Sequence, residues 1–346
     1  MSVVVRMKGW AFACGAIAAL ALAGTADGQG TANGGDIQPS FSPNGTQVAF
    51  AREVGNYFQI FVMKAGGGAA KELTHGSPDH SDPAWSPNGK TIGYSRDTHG
   101  HGQTLSGQVW VVNATGGGDR RVTSGAGGYD QMLGWSPDGK SILFERIRAG
   151  VGSVYTVPAT GGTQTDLTPS AENDDYLASF SPNGKQLAFD RTAANAFGDV
   201  YVMNADGSGA HAIARTASDE TDARWSPSGK QVAFMSDRSG HYEIYVTSAA
   251  GGAAHQITHT NGSAQNPQWS PNGRQIVFQA YSNGQWQIGI VNAGGGSQRM
   301  LTNSFGDNTN PVWSPNGKQI VFASTRSNVS AIYVMGPSGA GQKRIS

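Results

Sequence analysis

The sequence predicts an all-β fold: a seven-bladed β-propeller of four-stranded antiparallel blades, with no strand exchange at ring closure. Three observations predict it. An aromatic residue followed by Ser-Pro-x-Gly occurs seven times, at Phe41, Trp85, Trp135, Phe180, Trp225, Trp269 and Trp313, spaced by 44, 50, 45, 45, 44 and 44 residues. A second aromatic stands nine residues after each anchor: Phe50, Tyr94, Phe144, Phe189, Phe234, Phe278 and Phe322. No segment carries a convincing helical stripe. A period near 44 with four strands per unit is the pattern of propeller blades, and one such sheet cannot bury both faces alone.

Each repeat reads in the same order. The first strand ends at the anchor aromatic. In the Ser-Pro-Asn-Gly turn, Pro presets φ at the first corner, Asn or Asp favours the second, and Gly takes the left-handed position. Only Ser228 departs from Asn or Asp there. The second strand follows, as in Gln47-Val48-Ala49-Phe50 and Gln319-Ile320-Val321-Phe322. A polar loop leads to a third strand such as Asp199–Met203, then to a glycine-rich turn such as Asn204–Gly209. A Leu-Thr-type ending, Leu73-Thr74 or Leu301-Thr302, closes the fourth strand. Each blade is thus cut from one continuous stretch, and the first and last are expected to meet through side-chain packing alone.

Composition narrows the function. The 24 acidic and 24 basic residues balance, which speaks against nucleic acid as a partner, because such binders need a basic footprint. The 50 glycines fit a chain crowded with turns. Arg6 and Lys8 precede an apolar stretch, Ala11–Ala23, that ends in small residues. That is a signal-peptide pattern, assigned to residues 1–26, with a short linker over 27–35 and the propeller over 36–346. The only cysteine, Cys14, lies inside the leader, so the mature chain is expected to hold no disulfide and no thiolate site. The expected product is periplasmic or secreted, not membrane-spanning after cleavage, and monomeric.

The repeat Pro-x-Trp-Ser-Pro-Asn-Gly-Lys-x-Ile-x-Phe, with Ile-Tyr-Val-Met-Asn-Ala-Asp-Gly and a Leu-Thr ending, resembles the WD40-like PD40 repeats of the TolB family. The resemblance covers residues 36–346. It implies an extracytoplasmic propeller with protein-binding habits. Two departures stand out: TolB carries an α/β domain ahead of its propeller, for which this chain has no room, and its propeller usually has six blades.

Function is expected on the face formed by the loops after the second and fourth strands, which vary, rather than on the face of repeating turns. An arginine recurs after the second strand. Arg52, Arg96, Arg146 and Arg191 stand eleven residues past the anchor, Arg238 and Arg326 thirteen past it, and the sixth copy has none. Asp82, Asp222, Asn266 and Asn310 stand three before the anchor; Asp36, Asp130, Asp175 and Glu220 stand five before. Two readings fit. Arg and Asp clasp neighbouring strands, or a charged ring of Arg52, Arg96, Arg146, Arg191, Arg238, Arg326, Asp82 and Asp222 receives a protein or peptide partner.

No cofactor and no enzymatic activity are expected: no Gly-x-Ser-x-Gly elbow is present. The alternative is a carbohydrate-binding propeller or a metal-dependent oligosaccharide lyase, since some oligogalacturonate lyases are similar propellers. Its metal candidates are His80, His99 and His101, with Asp79 close in sequence. Tyr57, Phe58, Tyr129, Tyr242, Tyr281 and Trp286 are the candidates for a sugar or peptide platform.

Overall fold

The protein is described from a computed structural model, which covers residues 35–97, 106–125, 127–170, 172–193 and 196–346. These residues form strands and turns and contain no helix. No helix among them is therefore long and apolar enough to cross a membrane.

The first repeat shows the pattern. Its strands Asp36–Phe41, Gln47–Val54, Tyr57–Lys64 and Lys71–Glu72 pair antiparallel in sequence order. Four more four-stranded sheets, from the fourth to the seventh repeat, are built alike. The second and third repeats share one eight-stranded sheet. A single parallel bridge, Gly107 to Tyr129, joins their two meanders.

The Ser-Pro-x-Gly motif forms a reproducible hydrogen-bonded turn. In the first copy, Gly45 N donates to Ser42 O over 2.8 Å. Ser42 Oγ accepts Gln47 N at 3.0 Å, and Asn44 Oδ1 accepts Thr46 N at 3.0 Å. Gly45 has φ of +69° and its equivalents lie between +66° and +71°, where an L side chain is strained. Ser228 fills the Asn position with a longer bond, 3.3 Å from Lys230 N.

The core lies between sheets. All seven second aromatics, Phe50 to Phe322, are fully buried. The seven apolar clusters each draw on two neighbouring repeats; one, for example, joins Phe50 and Phe61 of the first repeat to Val321 and Ile332 of the last. Inner strands touch in a cycle: each contacts the inner strand of the next repeat, and Asn308–Trp313 contacts Asp36–Phe41. The turns form a second cycle. Gly89 faces Pro43, Gly139 Pro87, Gly184 Pro137, Gly229 Pro182, Gly273 Pro227, Gly317 Pro271, and Gly45 faces Pro315. First and last sheets exchange no strand. Their junction is nevertheless more than side-chain packing: Asp36 N donates to Ser330 O at 2.8 Å and Ser330 Oγ to Asp36 O at 2.7 Å.

Recurrent polar bonds run between or within sheets. The anchor indole donates to the carbonyl preceding the previous anchor: Trp85 to Ser40, Trp135 to Ala84, Trp225 to Ser179 and Trp269 to Arg224, at 3.0–3.2 Å. Trp313 Nε1 is buried without a protein acceptor. The Leu-Thr ending also finds its reason. Thr74, Thr123, Thr168, Thr258 and Thr302 each accept a third-strand amide through Oγ1, and Ser346 Oγ does so in the last repeat. In the fourth repeat Ala214 instead extends the strand ladder opposite Val200.

In five repeats the residue ten past the anchor accepts an amide from the next repeat's inner strand, Met235 through its sulfur from Asn266 N at 3.4 Å. Ser95 Oγ takes Met132 N at 2.9 Å, Asp190 Oδ2 takes Asp222 N at 2.6 Å and Gln279 Oε1 takes Asn310 N at 3.1 Å. Glu145 takes Leu177 N. Burial pushes the Glu145 carboxyl up to about 8 and Asp190 up to about 7. In the unfolded chain both return to the ordinary carboxylate range.

Two predictions follow from these bonds. Trp225→Phe removes the indole hydrogen bond to the Ser179 carbonyl, whereas Trp313→Phe removes an indole N–H that has no acceptor. In chemical denaturation Trp225→Phe is expected to cost about 1 kcal/mol more than Trp313→Phe. As for pH, the folded protein holds the Glu145 and Asp190 protons where the unfolded chain has released them. Stability from these groups is therefore greatest in acid and falls from about pH 5 to pH 8, by up to about 1.4 kcal/mol per pH unit for each. Glu145→Gln keeps the acceptor for Leu177 N, so its melting temperature should fall less over that range than the parent's.

Candidate functional site

The loops after the second strands rest on one cross-strand position. The residue five before each anchor pairs with the residue eleven after it: Asp36 with Arg52, His80 with Arg96, Asp130 with Arg146, Asp175 with Arg191, Glu220 with Ser236, Ala264 with Ala280 and Asn308 with Ser324. In three repeats the pair is a bidentate fork. Arg Nε and Nη2 reach the two carboxylate oxygens at 2.6 and 2.8 Å for Arg52, 2.6 and 2.7 Å for Arg146, and 2.6 and 2.8 Å for Arg191. The hydrogen bonds to Asp36 and Asp175 raise the Arg52 and Arg191 pKa values.

The thirteen-residue offset has a simple cause. Where serine occupies the eleventh position, the arginine two residues later folds back. Arg238 Nε bonds Ser236 Oγ at 2.9 Å and its Nη2 reaches Glu220 at 3.0 Å. Arg326 Nε bonds Ser324 Oγ at 2.9 Å and its Nη2 reaches Asn308 Oδ1 at 2.7 Å. All five of these guanidiniums also lie over the second-strand Phe and a third-strand Phe or Tyr, 4.5–5.7 Å from the ring centres. Arg96 lies 4.5 Å over Trp110 instead, facing His80 rather than an acid.

The sixth repeat lacks arginine and acid together, having Ala280 and Ala264. Joint loss is what a paired clasp produces. The donors of Arg52, Arg146, Arg191 and Arg238 thus meet carboxylates of their own repeat, while Arg96 and Arg326 have no carboxylate at the paired position.

The residues three before the anchor serve the backbone. Gln38, Asp82, Leu177, Asp222, Asn266 and Asn310 have φ between +51° and +56°, at the register shift of each inner strand. Asn and Asp tolerate this left-handed conformation better than other side chains, which accounts for their recurrence. Asp82 also accepts Gln38 Nε2 at 2.8 Å, Ser95 Oγ at 3.0 Å and Ser81 Oγ at 3.1 Å. Asp222 lies 2.6 Å from Arg224 Nη2. Burial raises both carboxyl pKa values. Asp82 and Asp222 sit on the inner strands two residues beyond the positions that pair with the second strand at Arg96 and Ser236.

Of the histidine candidates, His99 and His101 lie outside the described residues. His80 is buried, with Nδ1 2.7 Å from Gln59 Oε1 and Nε2 unpartnered; desolvation lowers its pKa to about 4. Asn308 stands in the equivalent place and bonds Gln287 Oε1 at 3.0 Å. His80 thus occupies a polar slot of the repeat. Asp79 belongs to a set that sequence reasoning missed. Asp79, Asp174, Asp219 and Asp307, six before their anchors, accept the amides of Phe58, Gly152, Gly198 and Trp286 at 2.6–2.8 Å. They tie four of the second-to-third-strand loops to the next repeat. Among the described residues no group of three or more His, Cys, Asp or Glu side chains is arranged to hold a metal.

Of the platform aromatics only Tyr281 is exposed; Tyr57, Phe58, Tyr129, Tyr242 and Trp286 are half-buried. The exposed large apolar residues among the described ones are Val54, Phe197, Tyr281, Met300, Phe305 and Val329. Phe197, Phe305 and Val329 lie on the variable loops, and Val54 and Tyr281 at the second-strand ends that lead into them.

The clasp can be tested directly. Arg191→Gln leaves the fully buried Asp175 without its cation and is expected to cost about 3 kcal/mol in denaturant unfolding. Replacing both Arg191 and Asp175 by alanine, as the sixth repeat has done, is expected to cost much less than the sum of the two single changes.

Residues 175–346 match the family model of the TolB beta propeller domain, PD40. The chain is 32% identical over 111 residues to the uncharacterized peptidase YuxL of Bacillus subtilis, covering 30% of this chain and 16% of YuxL. It is 34% identical over 85 residues to the Tol-Pal system protein TolB of Zymomonas mobilis, covering 25% of this chain and 17% of that protein. The chain thus spans about a sixth of the length of these relatives. Among solved structures, oligogalacturonate lyase in complex with manganese superimposes with a TM-score of 0.69 and 16% identity, covering 86% of this chain and 88% of the lyase; at that identity the likeness concerns the fold. A peptidase and a lyase among the similar proteins correct the expectation that this chain stands apart from enzymes. The repeat motif, the sheets it forms and the match over the C-terminal half agree: the chain is a TolB-like PD40 β-propeller.

Proposed function

We propose that the chain is a seven-bladed propeller scaffold that binds a protein or peptide partner on its variable-loop face. Counting the eight-stranded sheet as two blades gives seven, and the two cycles of inner-strand and Pro–Gly contacts support that count. Residues 1–26 act as a cleaved export signal and 27–35 as a linker, so the scaffold works in the periplasm or outside the cell as a monomer.

One observation carries the binding face. Of the six exposed large apolar side chains, Phe197, Phe305 and Val329 lie on the variable loops and Val54 and Tyr281 stand at the ends of the second strands that lead into them, while the opposite face consists of repeating Ser-Pro-x-Gly and glycine-rich turns. Apolar side chains held in water by a rigid frame mark contact surfaces. Tol-Pal TolB is a Tol-Pal system protein by name, which supports a protein partner without naming one.

A photo-crosslinking residue placed at Phe197 or Phe305, and in parallel at Asn88 or Asn272 of the turn face, tests this in the native envelope. Adducts with protein are expected from the first pair alone. Adducts from the turn face only, or from neither, would overturn the proposal.

A further inference from the structure

The loop joining the sixth and seventh repeats presents Phe305 to solvent at 78% exposure, the highest of any large apolar residue described. The repeat itself does not call for an aromatic there. The equivalent residues, eight before their anchors, are Ser77, Gly127, Glu172, Ala217 and Asn261. Nor is the ring on a loose tip. The carbonyls on either side of it, Ser304 O and Gly306 O, both accept from Gln287 Nε2, at 2.9 and 3.3 Å. Asn308 Nδ2 also donates to Gly306 O at 3.2 Å. Asp307 ties the same loop to both neighbours, accepting Trp286 N at 2.8 Å and donating its amide to Thr325 Oγ1 at 2.9 Å.

Those bonds tie the loop to Trp286, the ring partner of a second exposed aromatic, on one side and to the turn carrying a cation on the other. Tyr281, exposed, packs on Trp286 with ring centres 5.2 Å apart. Gly306 lies so close to the Arg326 backbone that an added methyl would stand 2.8 Å from its nitrogen. The Arg326 guanidinium has five N–H groups. Three meet neutral oxygens: Ser324 Oγ, Gln342 Oε1 and Asn308 Oδ1. In the other repeats with this fold-back or fork, an acid neutralises the arginine. Here Asn308 has replaced it, and burial lowers the Arg326 pKa with only Tyr333 acting against it. A half-buried cation with donors to spare beside a fixed, exposed aromatic is a ready contact for an anion carried next to an apolar group. Because the loop is already pinned, little ordering entropy opposes binding.

We propose that this corner binds a peptide segment bearing an apolar or aromatic side chain beside a carboxylate, with Phe305 and Tyr281 taking the apolar group and Arg326 the carboxylate. The proposal deepens, and rests on, the reading of the variable face as the partner-binding face.

The test uses the full chain and a displayed library of random octapeptides. Selected peptides are expected to carry Phe, Trp or Leu within two residues of Asp or Glu. Affinity of a synthetic peptide from that selection is expected to fall at least tenfold for Phe305→Ser and for Arg326→Gln. Serine is the residue at the equivalent Ser77, and the Phe305 ring packs on little, so Phe305→Ser reports binding even should Arg326→Gln disturb the fold. Selected peptides without an acidic residue, or affinity unchanged in Phe305→Ser, overturn the proposal. Peptides that bind Phe305→Ser normally but lose binding to Phe197→Ser would overturn it and leave the variable face as the binding face. No selected peptide at all would remove both.

Discussion

The fold depends on apolar side chains that are buried only by a neighbour. Every large aromatic of the second strands packs in a cluster shared by two repeats, so no single sheet has an interior of its own. At roughly 25 cal/mol per Å² of apolar surface withdrawn from water, that shared burial is the main term holding the repeats together. The same constraint fixes where polar groups can go. Between sheets they must be paired, which is why the indole bonds and the amide bonds to the tenth residue recur. At the outer loops they meet water and can vary.

Repetition makes the exceptions informative. The Arg–Asp fork appears in three repeats, a serine-mediated form in two more, and vanishes with both partners in the sixth. The position five before the anchor has accordingly been filled by acid, amide, histidine or alanine, each matched to what faces it. A side chain that every repeat can replace in kind serves the frame. A side chain such as Phe305, alone among its equivalents, has no such explanation, and it stands where the cation across from Asn308 lacks its acid.

Much of the fold was legible in the sequence. The turn motif, the anchor and the buried aromatic nine residues on are all local requirements that every copy must meet, so they appear as fixed letters at fixed offsets. The strand-by-strand cut of the sheets could be read for the same reason. The junction of the first and last sheets was only partly foreseen, because the Asp36–Ser330 bonds link residues far apart in sequence. The candidate site was less legible. Arg and Asp were found, but their pairing depended on register: the offsets of eleven and thirteen differ because Ser236 and Ser324 intervene. The recurrence of Asp82, Asp222, Asn266 and Asn310 goes with a left-handed backbone, and Gln38 and Leu177, which share that backbone, carry no such mark. The Asp79, Asp174, Asp219 and Asp307 set was overlooked because only four copies have it and its partners are amides.

Each sheet belongs to one unbroken stretch of chain, and the seam between the outermost repeats has an apolar cluster of the same kind as the other seams, with the Asp36–Ser330 bonds added to it. No seam is therefore privileged by topology. The order in which the polypeptide visits the repeats is incidental to the ring they make. A circular permutant opened at another inter-repeat loop, with the old ends tied together, would satisfy the same contacts. Such freedom lets the chain be opened, or an inserted module be accepted, at an inter-repeat loop without rebuilding the interior.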